Sequence, residues 1–109
     1  MKKLIVCGLA LCVAGVISVR AADAKETWSK NCAKCHGEDG AGKTKMGAKL
    51  GVKDYTDAKV QASFKDADLE KAIKDGVKDG DTVKMKGYGE TLSDSEVKAL
   101  VAFVRGLKK

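Results

Sequence analysis

Cys32-Ala33-Lys34-Cys35-His36 is the stretch of the sequence that decides the fold. Its two cysteines are three positions apart, and the residue that follows them is the only histidine in the chain. On a turn of helix, side chains at positions i and i+3 lie on one side. The spacing therefore predicts one chemical site, in which two thiols point the same way and an imidazole lies beside them.

Cys-x-x-Cys-His is the pattern at which haem c is attached to a protein. The two thiols add to the two vinyl groups on one edge of the porphyrin, and the histidine offers a ring nitrogen to the iron. We therefore expect one covalently attached haem c, bound by Cys32, Cys35 and His36. With one histidine available, ligation of the iron by two histidines of the same chain is excluded.

Three other kinds of site use the same residues, and each is less favoured. A disulfide between Cys32 and Cys35 would close a very short loop, and the stabilisation expected from a disulfide grows with loop length. A thioredoxin-like redox pair needs a βαβ setting, whereas no strand is predicted before this motif. A structural zinc site needs four ligands, and the motif provides three.

The first 21 residues have the pattern of a secretory signal. Lys2 and Lys3 precede sixteen uncharged, mostly apolar residues, 4–19, and small residues follow at 21, 22 and 24. The apolar run is shorter than the roughly twenty residues that span a bilayer, so we predict cleavage after Ala21 or Ala24 rather than an uncleaved anchor. The prediction is a signal peptide over 1–21 and a periplasmic domain over 22–109, with no stable membrane insertion after cleavage.

Charge gives little support for binding to nucleic acid. The whole chain has 21 basic and 15 acidic residues, but removal of residues 1–21 takes away three bases and no acid. The remaining net charge is +3, with both signs interspersed and no run of Lys and Arg. We therefore expect no nucleic-acid partner.

Apolar spacing predicts a mostly helical domain with three or four short helices. The predicted helices run from Asp23 to Cys35, within 54–62, from Asp66 to Gly76, and from the capping box Ser93-Asp94-Ser95-Glu96 to Gly106. The glycine-rich segments 37–51 and 80–91 are predicted as loops, and no strand is predicted.

So few short helices bury little apolar surface, and an attached haem would serve as their core. We expect the chain without haem to be poorly folded. The residues expected to pack against the haem are Trp28, Leu50, Leu69, Ile73, Val97, Leu100, Val101 and Phe103.

The sixth iron ligand is predicted to be Met85. Met46 lies only ten residues beyond His36 and would need a nearly extended strip to cross the ring, so we interpret it as a core residue. Met85 lies 49 residues beyond His36, between Lys84 and Lys86, which is an unusual place for a residue that only fills a core. A His/Met pair is typical of cytochromes that transfer electrons.

These segments together resemble the class I small monohaem cytochromes c of bacteria. The resemblance covers nearly all of residues 22–109: the helix entering the cysteine motif, Gly47-Ala48-Lys49-Leu50-Gly51, the Met85 segment, and Thr91 to Val97 before the last helix. It implies an all-α cytochrome c fold of three to five short helices around one haem, with the first and last helices in contact.

The chain departs from such proteins because it has no proline. They commonly place a proline after the haem motif, where its carbonyl accepts a hydrogen bond from the ligand histidine, and another after the ligand methionine. Here we expect a carbonyl of Met46 or a neighbouring residue to orient His36.

The expected function is outer-sphere transfer of single electrons between protein redox partners, with no small-molecule substrate and no enzymatic activity. The alternative is a five-coordinate haem c sensor or peroxidase-like enzyme, in which Met85 does not bind iron. Apart from Arg105, the sequence offers no acid–base side chain for that chemistry. The residues expected to form a lysine-rich docking surface near the haem edge are Lys30, Lys34, Lys43, Lys45, Lys49, Lys84 and Lys86.

Overall fold

The computed structural model describes residues 21–109, and within them the chain forms five helices and one two-stranded hairpin. The predicted signal peptide lies outside the described residues apart from Ala21. No helix within 21–109 has the length and apolar character needed to cross a bilayer.

The first helix, α1, begins as Ala21–Thr27, widens to a π-helical turn over Trp28–Cys32 and ends with Ala33–His36. The other helices are α2 (Lys45–Leu50), α3 (Ala58–Ala62), α4 (Asp66–Asp75) and α5 (Asp94–Arg105). The hairpin pairs β1 (Val77–Asp79) with the antiparallel strand β2 (Thr82–Met85). The four predicted helices are present in the predicted order, and α2 is an additional helix.

Local capping signals explain where the later helices begin and end. The Ser93 side chain accepts a hydrogen bond from the Glu96 amide, while the Glu96 carboxylate accepts one from the Ser93 amide, as the capping box predicts. Gly76 ends α4 with a φ of 80°, a backbone conformation that favours glycine. Helix α4 begins one residue earlier than a cap at Asp66 would imply, because Lys65 is the cap and its amide donates to the Asp68 carboxylate.

The core lies where α1 and α4 meet α5. Trp28 is almost fully buried, and its ring centre lies 5.3 Å from that of Phe103. The contact between first and last helices that the resemblance implies is confirmed. The buried residues of this core are Trp28, Ala33, Leu69, Ile73, Val97, Leu100, Val101 and Val104.

Two segments predicted as loops are ordered differently. Residues 45–50 form α2, because the Thr44 side chain accepts a hydrogen bond from the Gly47 amide and Gly51 ends the helix with a φ of 69°. Residues 77–85 form the hairpin, with Gly80 and its neighbour Asp81 at the turn. The prediction that Met85 lies in a loop and that strands are absent is therefore wrong, because pairing between the two short runs supplies hydrogen bonds that neither run signals alone.

Candidate functional site

A cavity of about 620 Å³ opens between α1, α4, α5 and the hairpin, and its walls are mostly apolar. Cofactor pockets typically have volumes of about 300–1,000 Å³ and a few polar groups among apolar walls. All four predicted site residues line this cavity: Cys32, Cys35 and His36 from the end of α1, and Met85 from the end of β2. The structure thus brings together residues up to 53 positions apart in sequence.

The two cysteines are free thiols, half-buried at the cavity wall. Burial raises the pKa of the Cys32 thiol to about 11, with a smaller contribution from Cys35. A thiol with such a pKa is protonated at neutral pH, so Cys32 lacks the depressed pKa that marks the reactive cysteine of thioredoxin-like proteins.

His36 is held between two aromatic rings. Its ring centre lies 5.4 Å from that of Trp28 and 5.5 Å from that of Tyr55. Burial lowers the pKa of the imidazole, which favours the neutral form that can bind a metal.

The Nδ1 atom of His36 is buried, and no residue of the described part of the chain forms a hydrogen bond with it. The predicted carbonyl acceptor from Met46 or a neighbour is therefore not found. A buried ring nitrogen without a partner carries a free-energy cost, and binding of a metal by the imidazole is one way in which such a ring is satisfied. The donor set of two thiols, a neutral imidazole and a thioether in an apolar cavity fits haem c.

The backbone around His36 is fixed by two side chains. The Trp28 indole donates a 2.9 Å hydrogen bond to the Gly37 carbonyl, directly after the histidine. The Thr44 hydroxyl donates to the Cys35 carbonyl at 2.6 Å while accepting from the Gly47 amide at 2.8 Å. These bonds join α1 to α2 and hold the end of the cysteine motif in place.

Met85 is half-buried, and close backbone packing brings its strand to the cavity. A Cβ atom at Gly76 would overlap the Met85 carbonyl oxygen, so only glycine permits this approach. After the strand, the Tyr88 amide donates to the Ile73 carbonyl at 2.8 Å and the Gly89 amide to the Lys74 carbonyl at 3.0 Å. The carbonyl end of α4 therefore anchors the segment that follows Met85.

Met46 lies elsewhere. It is on α2, is 37% exposed and is not among the residues that line the cavity. Its interpretation as a core residue is wrong, because α2 turns this side chain towards solvent instead of the core.

Sequence reasoning found part of the cavity wall. Trp28, Leu50, Leu69, Ile73 and Leu100 line it as predicted, whereas Val97, Val101 and Phe103 do not. The latter three belong to, or pack against, the core between the helices. The lining residues that were missed include Tyr55, Phe64, Lys53 and Val104.

Comparison with known proteins identifies the family. The family model described as cytochrome c oxidase, cbb3-type, subunit III matches residues 19–104, which is most of the chain. The chain belongs to this cytochrome c family. No curated protein matches the chain significantly.

Solved structures of a c-type cytochrome have the same fold. The KustC0563 c-type cytochrome is 36% identical, with a TM-score of 0.71 over 79% of this chain and 98% of that chain. A mutant of the same cytochrome, with phenylalanine in place of one tyrosine, gives a TM-score of 0.69 over 79% of this chain and 99% of that chain, also at 36% identity. The protein is thus a small monohaem cytochrome c that binds haem c covalently, and the predicted family, fold and cofactor are confirmed.

Proposed function

We propose that this cytochrome c is an electron carrier in which Cys32 and Cys35 form the thioether bonds to haem and His36 and Met85 bind the iron. The observation that carries the proposal is the shared cavity, which both thiols, the imidazole and this thioether line together. Haem, when bound, supplies a couple that accepts and releases one electron.

The protein residues would do three things for this chemistry. His36 contributes a neutral imidazole, clamped by the rings of Trp28 and Tyr55. The thioether of Met85 is a soft ligand that favours ferrous over ferric iron. Apolar walls such as Leu69 and Leu100 disfavour the additional charge of the oxidised state and exclude water from the ligands.

Met85 is preferred to Met46 on position. Only Met85 has its side chain at the cavity, and its segment is anchored by α4 through the Tyr88 and Gly89 amides. Because the anchor is made by the backbone, the position of Met85 does not depend on the proline that follows the methionine in similar proteins.

A five-coordinate sensor or peroxidase-like enzyme is less favoured. The Arg105 guanidinium donates its hydrogen bonds to Asp66, Gln61 and Phe64 and does not line the cavity. It is therefore not placed to act as an acid–base group at the iron. We infer that the cytochrome is not an enzyme and has no small-molecule substrate.

Protein redox partners would dock at the mouth of the cavity. Lys34, Lys53, Lys84 and Lys86 line it, together with Asp68 and Asp79. An excess of lysine there would steer an acidic partner and raise its association rate at low salt. Lys53 is not one of the predicted docking lysines. Of the predicted ones away from the mouth, Lys30 is paired with Glu26 at 2.9 Å, and Lys43, Lys45 and Lys49 do not line the cavity.

Export to the periplasm completes the proposal. It is supported by the sequence pattern of residues 1–21, which predicts a cleaved signal. Mass spectrometry of the mature haem protein would test it, because cleavage after Ala21 or Ala24 gives two distinct amino termini, whereas an anchor leaves Met1 or its neighbour in place.

Redox-titrated absorption spectroscopy of the purified haem protein tests the ligand assignment. Wild type and Met46→Ala are expected to show a low-spin iron and the weak charge-transfer absorption band from the thioether to ferric iron. Met85→Ala is expected to lose that band and become high-spin. A low-spin spectrum with an intact thioether band in Met85→Ala would overturn the assignment. Loss of the thioether band in Met46→Ala would identify Met46 as the ligand instead.

A further inference from the structure

A buried polar cluster lies behind the cavity wall, outside the site described above. Its centre is Gln61, which at 6% exposure is the buried polar residue of the described part of the chain. The Gln61 Nε2 atom donates to the Tyr55 carbonyl at 2.7 Å and to the Val104 carbonyl at 2.8 Å. This amide thus joins α3 to the segment before it and to α5.

Arg105 completes the cluster from the end of α5. Its guanidinium donates to the Gln61 side-chain oxygen at 3.0 Å, to the Phe64 carbonyl at 2.8 Å and also to the Gln61 carbonyl. The guanidinium carbon lies 4.4 Å from the centre of the Phe64 ring. The ion pair with Asp66, at 2.6 Å, contributes little because that carboxylate is 69% exposed. The hydrogen bonds to the buried amide and to the carbonyls therefore dominate.

The cluster holds the two aromatic residues that sequence reasoning missed at the cavity. Tyr55 and Phe64 both line the cavity and meet edge to face, with ring centres 5.8 Å apart. Tyr55 also packs on the His36 ring at 5.5 Å. A continuous set of contacts thus runs from Arg105 and Gln61, through this aromatic pair, to the imidazole.

We propose that Gln61 and Arg105 are positioning residues that fix Phe64 against Tyr55, and Tyr55 against His36, and so raise the reduction potential. This inference rests on the proposed function, because it takes His36 as the iron ligand. An aromatic wall in contact with the ligand keeps water out and disfavours the oxidised state. A satisfied buried network is rigid, whereas removal of one member leaves its partners without hydrogen bonds and loosens the wall.

The test compares Arg105→Met and Gln61→Met with wild type in the haem-bound protein. Both variants keep side-chain volume but remove the hydrogen bonds. We expect the equilibrium constant for one-electron reduction to fall at least threefold, about 28 mV, because a tenfold change corresponds to about 59 mV. Arg105→Lys keeps the charge but not the several hydrogen bonds, so its potential should lie between those of wild type and Arg105→Met.

Ala102→Gly is the matched control. Ala102 is on the exposed side of α5, so this change weakens the same helix without touching the cluster. The proposal would be overturned if the reduction potentials of Arg105→Met and Gln61→Met differed from that of wild type by no more than the potential of Ala102→Gly does. The cluster would then have a purely structural role. If Arg105→Met does not fold, Gln61→Met and Arg105→Lys provide the same comparison.

Hydrogen exchange at the Tyr55 amide separates this proposal from the ligand assignment. That amide donates to the Gly40 carbonyl at 2.9 Å, and we expect it to exchange faster in both methionine variants than in Ala102→Gly. Unchanged exchange would refute the positioning role. Failure of the ligand assignment would instead show in the absorption spectra of wild type, Met85→Ala and Met46→Ala, none of which changes the cluster.

Discussion

At the scale of single residues, the Trp28 indole serves both the core and the site. Its ring packs against Phe103, while its N–H donates to the buried Gly37 carbonyl. The carbonyl has this donor one residue beyond His36, so the indole couples core packing to the position of His36. A change that keeps the ring but removes the donor separates the two roles.

Trp28→Phe should therefore destabilise the protein even though an aromatic ring remains. We expect a loss of about 0.5–1.5 kcal/mol in the free energy of unfolding from this hydrogen bond, because the Gly37 carbonyl loses the indole donor and keeps only the longer bond from the Gly40 amide, at 3.2 Å. Denaturant titration of the haem protein measures it. Tyr88→Phe is the control: the Tyr88 hydroxyl donates at 3.3 Å to the exposed Asn31 carbonyl, and its loss should change stability by less than about 0.5 kcal/mol. Equal losses in the two variants would contradict the role of the indole.

Tyr55 predicts a dependence of stability on alkaline pH. Burial raises the pKa of its phenol above the ordinary value, so the folded protein keeps the proton where the unfolded chain releases it. The unfolded state then binds fewer protons, and stability falls as the pH rises through about 10, the ordinary pKa of tyrosine. In Tyr55→Phe, unfolding midpoints should fall less steeply from neutral to strongly alkaline pH than in wild type. Parallel curves for the two proteins would count against this assignment.

At the scale of elements, the position of α2 against the end of α1 depends on Gly47. A Cβ atom at Gly47 would overlap the carbonyl oxygens of Cys35 and Gly42 and approach the Thr44 hydroxyl. Close contact between α2 and the end of α1 is therefore possible only without a side chain at this position.

Gly47→Ala should separate the two helices. We expect a loss of about 1–3 kcal/mol in the free energy of unfolding, the range typical of overpacked sites. The variant should also show altered NMR shifts at Cys35 and His36. Gly51→Asn is the control, because Gly51 has open space around its Cα and asparagine tolerates its positive φ. A stable Gly47→Ala protein with unchanged shifts would show that α2 does not need this close approach.

The elements that sequence predicts well are those with local signals. The Ser93–Glu96 capping box and Gly76 mark helix ends within a few residues, and their predictions are confirmed. By contrast, α2 and the hairpin are short and lie in glycine-bearing segments, so their sequences resemble loops even though Thr44 and Gly51 bound α2. The pair Gly80-Asp81 between two valine-bearing runs is the hairpin signal that was overlooked.

The residues of the candidate site likewise divide into those that local sequence predicts and those that it does not. Cys32, Cys35 and His36 lie within five residues of one another, so the sequence pattern predicts their shared chemistry without a structure. The prediction of Met85 rests on a comparison of two methionines, and the position of Met85 at the cavity supports it. Tyr55, Phe64 and the cluster behind them come from segments that are in contact only in the folded chain. No local sequence pattern predicts these contacts.

At the scale of the whole molecule, the cavity takes the place that an apolar core occupies in other small domains. Core residues such as Leu69, Leu100 and Val104 face it. Without haem, these side chains would be exposed to water or would collapse away from their native positions. A domain this small has little other apolar burial to compensate.

Loss of the haem should therefore unfold the protein. We expect the double variant Cys32→Ala and Cys35→Ala, produced in the same cells, to lose most of its helical circular dichroism and its protection from hydrogen exchange. The single variant Cys32→Ala, which retains one thiol for attachment, should keep more of both. A double variant with the helix content of wild type would show that the polypeptide folds without its cofactor.

The π-helical turn of α1 has a consequence for how this protein can vary in length. A π-helical turn holds one residue more than the α-helical turn it replaces, so loss of one residue within Trp28–Cys32 would close the turn to α-helical geometry with little rotation of Ala21–Thr27. The amino-terminal part of α1 can therefore change in length at this turn and keep its contact with α5. The hairpin tip is a second such place, since Gly80 faces open space and a residue added there would displace nothing packed against it.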